Sequence, residues 1–199
     1  MIRNLLAALA VSIAAQGAAS ASPPRDIDGF GGLRFGERIQ TVDWLSPALW
    51  SNPGCACERV YYAPGTPQAG ALAGVTLYWP GLQYLFFENR YYAAVAEFPA
   101  DAQAFGRLLD YLSARYGAPD VTASGEDAPP ETYMRENRLR SAGWRTIDGS
   151  RSVWLISDDN GGTLTVMDNT LSALRSEAIG RSLAAGRPDT PPGRRLVRR

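Results

Sequence analysis

Across residues 58–98 the chain is dominated by aromatic and β-branched residues, broken at short intervals by turn formers, and that pattern leaves few folds open. The rich segments are 58–63, 72–79, 82–87 and 91–98, with Pro80-Gly81 and Glu88-Asn89-Arg90 as punctuation. Such residues fit a pleated, half-buried surface, so the spacing predicts an antiparallel meander. A second set of strands is expected at 143–147, 151–157 and 163–168, turned at Asp148-Gly149 and across 158–162.

Helical periodicity fills the gaps. Asp101 is placed to cap a helix whose apolar residues Phe105, Leu108, Leu109, Leu112 and Tyr116 share one stripe; Gly117 and Pro119 end it. Leu171, Leu174, Ala178, Ile179 and Leu183 mark a last helix, capped by Asp168 or Asn169 and closed by Gly186. Ile39, Val42, Leu45 and Leu49 predict helix near the start, split in two at Ser46-Pro47 with Ser46 as a cap. Residues 120–130, with their Gly, Pro and acids, read as a mobile connection. The order is helix, strands, helix, strands, helix. It predicts a single α+β domain over residues 22–186, an antiparallel sheet of two strand groups with the helices on one face.

The ends carry different signals. Arg3 precedes an apolar run over residues 5–15, which falls short of the roughly 20 residues that span a bilayer. Ala19-Ser20-Ala21 then offers a small-x-small exit, so residues 1–21 are expected to be a cleaved secretory signal. No cysteine follows closely enough for a lipid anchor, and no later stretch is apolar enough for a transmembrane helix. Residues 187–199 are rich in Pro and Arg without apolar periodicity and predict a disordered basic tail. The abundance of Ala and Arg with no Lys points to a GC-rich bacterial genome, and with the signal segment to the periplasm.

Composition removes whole classes of chemistry. All 20 basic residues are Arg, and there is no His. Without His the Ser-His and Cys-His nucleophile systems and His-ligated zinc are gone. Without Lys so are Schiff bases and the phosphate-binding P-loop. Residues 22–180 hold 13 Arg against 19 Asp and Glu, a balance of −6, which is the wrong sign for a nucleic-acid-binding body. The Gly-rich segment over 29–36 fails the dinucleotide fingerprint, because Arg34 stands where its third Gly belongs. The acidic run Asp158-Asp159-Asn160 lacks the alternating ligands and distal Glu of a calcium loop and serves better as a hairpin turn. No metal, cofactor or catalytic set is expected.

Two features keep distinctive chemistry. Cys55-Ala56-Cys57 holds the only two cysteines. In an oxidising compartment they form a local disulfide, stay as free thiols, or act as a reducible redox pair. Residues two apart on an extended strand lie about 6.6 Å apart, near the upper limit for a disulfide, and Asn52-Pro53-Gly54 supplies the turn that shortens this. The other feature is aromatic crowding, with eleven aromatic side chains between Trp44 and Tyr92. Adjacent pairs such as Tyr61-Tyr62, Tyr78-Trp79 and Tyr91-Tyr92 must point to opposite faces of a sheet, so one face is core and the other meets helices or a partner.

Gly29-Phe30-Gly31-Gly32-Leu33-Arg34-Phe35-Gly36, Tyr116-Gly117-Ala118-Pro119 and the late strands with Trp144 and Trp154 resemble a pattern in small exported proteobacterial α+β proteins of unknown function. Those proteins open with a G-F-x-G-x-x-F/W-G segment and carry a Y-G-x-P helix end; the resemblance implies a fold and no activity. Phe35-Gly36 is more faintly similar to the small lipoproteins of outer-membrane protein assembly, whose lipid-bearing Cys is missing here.

The sequence therefore predicts an exported, non-catalytic binding or interaction module for a protein or cell-envelope ligand. Its expected binding residues are Tyr61, Tyr62, Tyr78, Trp79, Tyr84, Tyr91 and Tyr92. The alternative is a thiol-disulfide redox protein acting through Cys55 and Cys57.

Overall fold

The computed structural model describes residues 25–48, 57–64, 70–101, 103–127 and 138–184. Residues 1–21, expected to be a signal segment, Leu49, Cys55 and residues 187–199, expected to be a tail, lie outside the described residues.

The chain starts with a tight ladder, β1 (Gly29–Phe30) against β2 (Leu33–Arg34). β3 (Ser46–Pro47) and β4 (Glu58–Tyr62) follow, then a small hairpin of β5 (Ala71–Leu72) and β6 (Val75–Thr76). β7 (Gln83–Phe87) and β8 (Arg90–Pro99) lead into α1 (Ala104–Tyr116). The second half holds β9 (Val121–Ser124), β10 (Arg140–Arg145), β11 (Arg151–Asp158), β12 (Gly161–Asp168) and α2 (Asn169–Ala184). Eight of these strands make one antiparallel sheet in the order β3-β4-β7-β8-β12-β11-β10-β9. The fold is α+β, as the sequence predicts.

Strand alternation divides the apolar residues between two clusters. Tyr84 and Phe86 of β7, Ala94, Ala96 and Phe98 of β8, Leu164 and Val166 of β12, and Val153 and Leu155 of β11 face one way. Ala104, Leu108, Leu112 and Tyr116 of α1 close over them. Phe87, Tyr92, Ala93 and Leu171 form a smaller cluster of their own, with Leu85, Met167 and Ala178 packed against it. Leu171 and Ala178 belong to α2, so the two helices cover opposite faces of the sheet. This corrects the expectation of helices on one face. The stripe on each helix demands an apolar surface but does not say which side supplies it.

Only the last helix starts on its expected cap: Asp168 Oδ1 accepts from Leu171 N at 2.9 Å. At α1 the cap position is Gln103, without a side-chain capping bond, and Asp101 Oδ1 accepts from Gln103 N at 2.9 Å one residue ahead of the helix, a turn rather than the expected cap. Gly117, at φ 80, leaves α1 through the positive-φ region as its position predicts.

The expected first helix does not form among the described residues. Ile39–Thr41 makes one 3-10 turn, and Ser46–Pro47 is strand. Tertiary pairing wins over apolar spacing. Gly36 N donates to Tyr91 O at 2.8 Å, Tyr91 N to Glu37 O at 2.8 Å, and Ile39 N to Asn89 O at 3.0 Å, holding this stretch extended along the start of β8. Residues 72–79 are likewise not one strand: the chain reverses between β5 and β6 at Ala73 and Gly74, both at positive φ. Val121–Ser124, expected within a connection, is the edge strand β9.

The Gly-rich segment has a steric reason. A Cβ on Gly29 would stand 1.9 Å from Leu33 O, and one on Gly31 2.6 Å from the Tyr84 hydroxyl. That hydroxyl donates to Gly31 O at 2.9 Å, and Tyr91 Oη donates to Phe30 O at 3.3 Å, tying the segment onto the sheet.

Candidate functional site

Among the described residues, the face opposite α1 is covered at one end only. α2 starts directly from β12 at Asp168 and lies over Met167, Ala93, Leu85 and Phe87. Asn169 fixes this turn: its Nδ2 donates to Gly149 O at 2.8 Å, and Ser152 Oγ donates to its Oδ1 at 3.0 Å.

Beneath α2 sits a charged cluster. The register between β7 and β8 slips at Leu85/Phe86, where Leu85 faces Ala93 but Phe86 faces Tyr91, so Tyr92 is the extra residue of a bulge. The bulge sends Tyr92 and Ala93 to the same side, that of α2. Glu58 pairs with Phe87 and shares that side. Its carboxylate, 2% exposed as a residue, receives Arg175 Nε and Nη2 at 2.7 Å each and also the Tyr92 hydroxyl. Burial first, and the Glu58 charge second, push the Tyr92 phenol far above its ordinary range. The arrangement is a bidentate clamp with every partner satisfied, which orients α2. No free cysteine stands among the described residues, and Cys57 packs at the rim of this cluster.

Beyond α2 the same face lies open among the described residues. Register carries one row straight across the sheet: Tyr62 opposite Gln83, Gln83 opposite Val95, Val95 opposite Thr165, Thr165 opposite Trp154, and Trp154 opposite Gly143. The next row runs Glu97, Thr163, Ile156, Ser141. Apart from Gly143, every one of these residues is half-buried. The Trp154 ring lies over Gly143, where a Cβ would come within 2.5 Å of it, and Arg145 stands 5.0 Å above its centroid. At the other end the Tyr62 and Trp79 rings are 6.4 Å apart and tilted by 53°. Four strand spacings of about 4.8 Å put these two aromatic anchors roughly 19 Å apart. Between them the surface is neutral and hydrogen-bonding, from Gln83 and Thr165, around Val95.

The aromatic residues singled out by sequence thus separate. Tyr62, Tyr78 and Trp79 reach solvent, the last two at 47% and 71% exposure. Tyr61 is half-buried and packs edge-on to Phe86 in the α1 core. Tyr84, Tyr91 and Tyr92 are buried, and none of the three faces solvent. Burial lifts the Tyr84 phenol to about 12 and Tyr91 well above 10, so all three hydroxyls work as neutral donors. Tyr61-Tyr62 and Tyr91-Tyr92 do split between faces, whereas Tyr78-Trp79 lies outside any strand and both rings point outward. Sequence reasoning missed Trp154, Val95, Thr165 and the Glu58–Arg175 clamp. Trp154 stood in a predicted strand, but only the register shows its face. Asp158 Oδ1 accepts from Asn160 N at 2.7 Å as a turn residue, and no group of three potential metal ligands converges among the described residues.

Comparison of the chain with protein families, with curated proteins and with solved structures finds no match.

Proposed function

We propose that this protein is an exported periplasmic binding module, without catalytic activity, that holds a protein or cell-envelope ligand across the open face of its sheet. One observation carries the reading: a continuous row from Tyr62 to Trp154 is only half-buried, while the residues flanking Gln83, Val95, Thr165 and Trp154 on their strands are buried in the core on the other face. Aromatic anchors at the ends of a flat, neutral, hydrogen-bonding strip give contact area at low cost in side-chain entropy. Tyr78 and Trp79 extend the strip at its β4 end. The binding residues are then Tyr62, Tyr78, Trp79, Val95 and Trp154, a set shifted from the aromatic list that sequence alone offers.

The test is co-sedimentation of the purified protein with isolated cell envelopes, comparing it with Tyr62→Ala and Trp154→Ala. Each anchor substitution should reduce binding by tenfold or more, in line with the ~2 kcal/mol that aromatic interface anchors contribute, with the melting midpoint little changed. Binding equal in wild type and both variants, or absent from all three, overturns the reading. The thiol-disulfide alternative, through Cys55 and Cys57, has less behind it, since Cys57 sits against the apolar cluster under α2. A Cys55→Ser, Cys57→Ser protein that binds normally removes it.

A further inference from the structure

The turn between β7 and β8 brings two arginines face to face. Arg38 is the antiparallel bridge partner of Arg90. The flanking bonds, Tyr91 N to Glu37 O at 2.8 Å and Ile39 N to Asn89 O at 3.0 Å, make this a non-hydrogen-bonded pair. In such pairs the facing side chains stand closest, with Cα atoms about 4.5 Å apart. Like charges directly opposite one another destabilise a sheet, so the juxtaposition needs an anion.

The protein supplies little of one. Glu88 stands 3.9 Å from Arg90, with side chains 61% and 44% exposed, and an exposed pair at that distance contributes little. Arg38 forms no salt bridge among the described residues. Several other arginines are engaged with carboxylates or amides: Arg25 on Asp120, Arg107 on Gln103, Arg175 on Glu58. Arg38 and Arg90 instead line a polar cavity of about 380 Å³ together with Gln40, Asn89 and Glu88.

We propose that the cleft between Arg38 and Arg90 binds a phosphate group. A carboxylate has two oxygens, which one planar guanidinium fork uses up; a phosphate monoester offers three oxygens and nearly two charges, enough to engage both forks. Gln40 and Asn89 bring side-chain amide donors to the rim. The site is separate from the open sheet face and does not depend on the reading given above.

The experiment uses the full chain and two probes that share this chemistry: inorganic phosphate, followed by NMR shifts of the Arg side-chain and Asn89 signals, and vesicles containing phosphatidic acid, followed by co-sedimentation against phosphatidylcholine alone. Saturable shifts with free phosphate identify a soluble phosphate ester. Binding to acidic vesicles alone identifies a lipid headgroup. Either outcome requires Arg38→Gln and Arg90→Gln each to weaken binding by roughly tenfold or more, the loss of one charge-assisted bond. Glu88→Gln should tighten it, and Arg138→Gln, beside β10 at the far side of the sheet, should leave it unchanged. Since Arg38→Gln relieves a repulsion, its melting midpoint should not fall, which separates a site from a folding defect. No saturable binding of either probe, or binding that survives Arg38→Gln together with Arg90→Gln, overturns the proposal.

Discussion

Arg175 on α2 and Glu58 on β4, separated by 117 residues in sequence, meet through two hydrogen bonds of 2.7 Å each. The Glu58 side chain is 1% exposed and that of Arg175 20%, so the acid depends on the clamp far more than the base does. Removing Arg175 leaves a buried carboxylate with only a phenol as partner.

Arg175→Met should therefore cost about 3–5 kcal/mol in urea unfolding, the size of a broken buried pair. Replacing both residues by apolar ones of similar volume, Glu58→Leu with Arg175→Met, should recover most of that loss, because no charge remains to be solvated. A single substitution costing under ~0.5 kcal/mol, typical of surface changes, would mean the clamp does not hold α2.

Alkaline stability should fall between pH 10 and 12. Tyr84 has its folded value raised to about 12 from 10.0 by burial. A raised folded value means folding favours the neutral phenol. Stability is fully present below pH 10 and is lost as pH climbs through the folded value. Tyr91 and Tyr92 are raised for the same first reason and add to the slope at its upper end. Tyrosine absorbance followed with circular dichroism on a rising pH ramp checks this. Ionisation of all tyrosines near pH 10 with the fold intact would contradict it.

Glycine substitutions should act with opposite signs. At Gly29 an added Cβ meets the Leu33 carbonyl oxygen at 1.9 Å, so Gly29→Ala should lower the melting midpoint. Gly106 stands within α1 with nothing within 4 Å of its Cβ position. Gly106→Ala should stabilise by about 0.5–1 kcal/mol, since it removes the entropy that glycine loses in a helix. Thermal melts of the two variants against wild type decide both.

Where local chemistry decides structure, the sequence was readable. Glu58–Tyr62, Gln83–Phe87 and α1 lie close to their expected places because residue composition, helical stripe and the glycine at the helix end agree there. Ile39, Val42 and Leu45 carried a helical period that backbone pairing with Asn89 and Tyr91 overrode. β9 escaped notice because a short edge strand such as Val121–Ser124 needs no apolar alternation, and Thr122 is fully on the outside. Leu109, which shares the stripe of α1, is only half-buried where Leu108 and Leu112 are buried, so the stripe is narrower than its periodicity suggests. The open row was hidden because faces depend on register, and the bulge at Tyr92 resets it. The clamp left one trace, an arginine at the position between Leu171 and Ala178 where the α2 stripe would otherwise be apolar.

The seam between β8 and β12 has a consequence in time. Val95 pairs with Thr165, 70 residues further along the chain, whereas β7–β8 and β11–β12 close as neighbours in sequence. As the chain emerges from its N-terminus, β8 stands as a bare edge, with unpaired amides and carbonyls along its length, until β12 has been made. Non-local pairing is the slow step in folding, and an unpaired edge invites pairing with another chain. Two half-sheets thus wait for one another, and anything that shields the β8 edge during that interval governs how much of the protein reaches its native state.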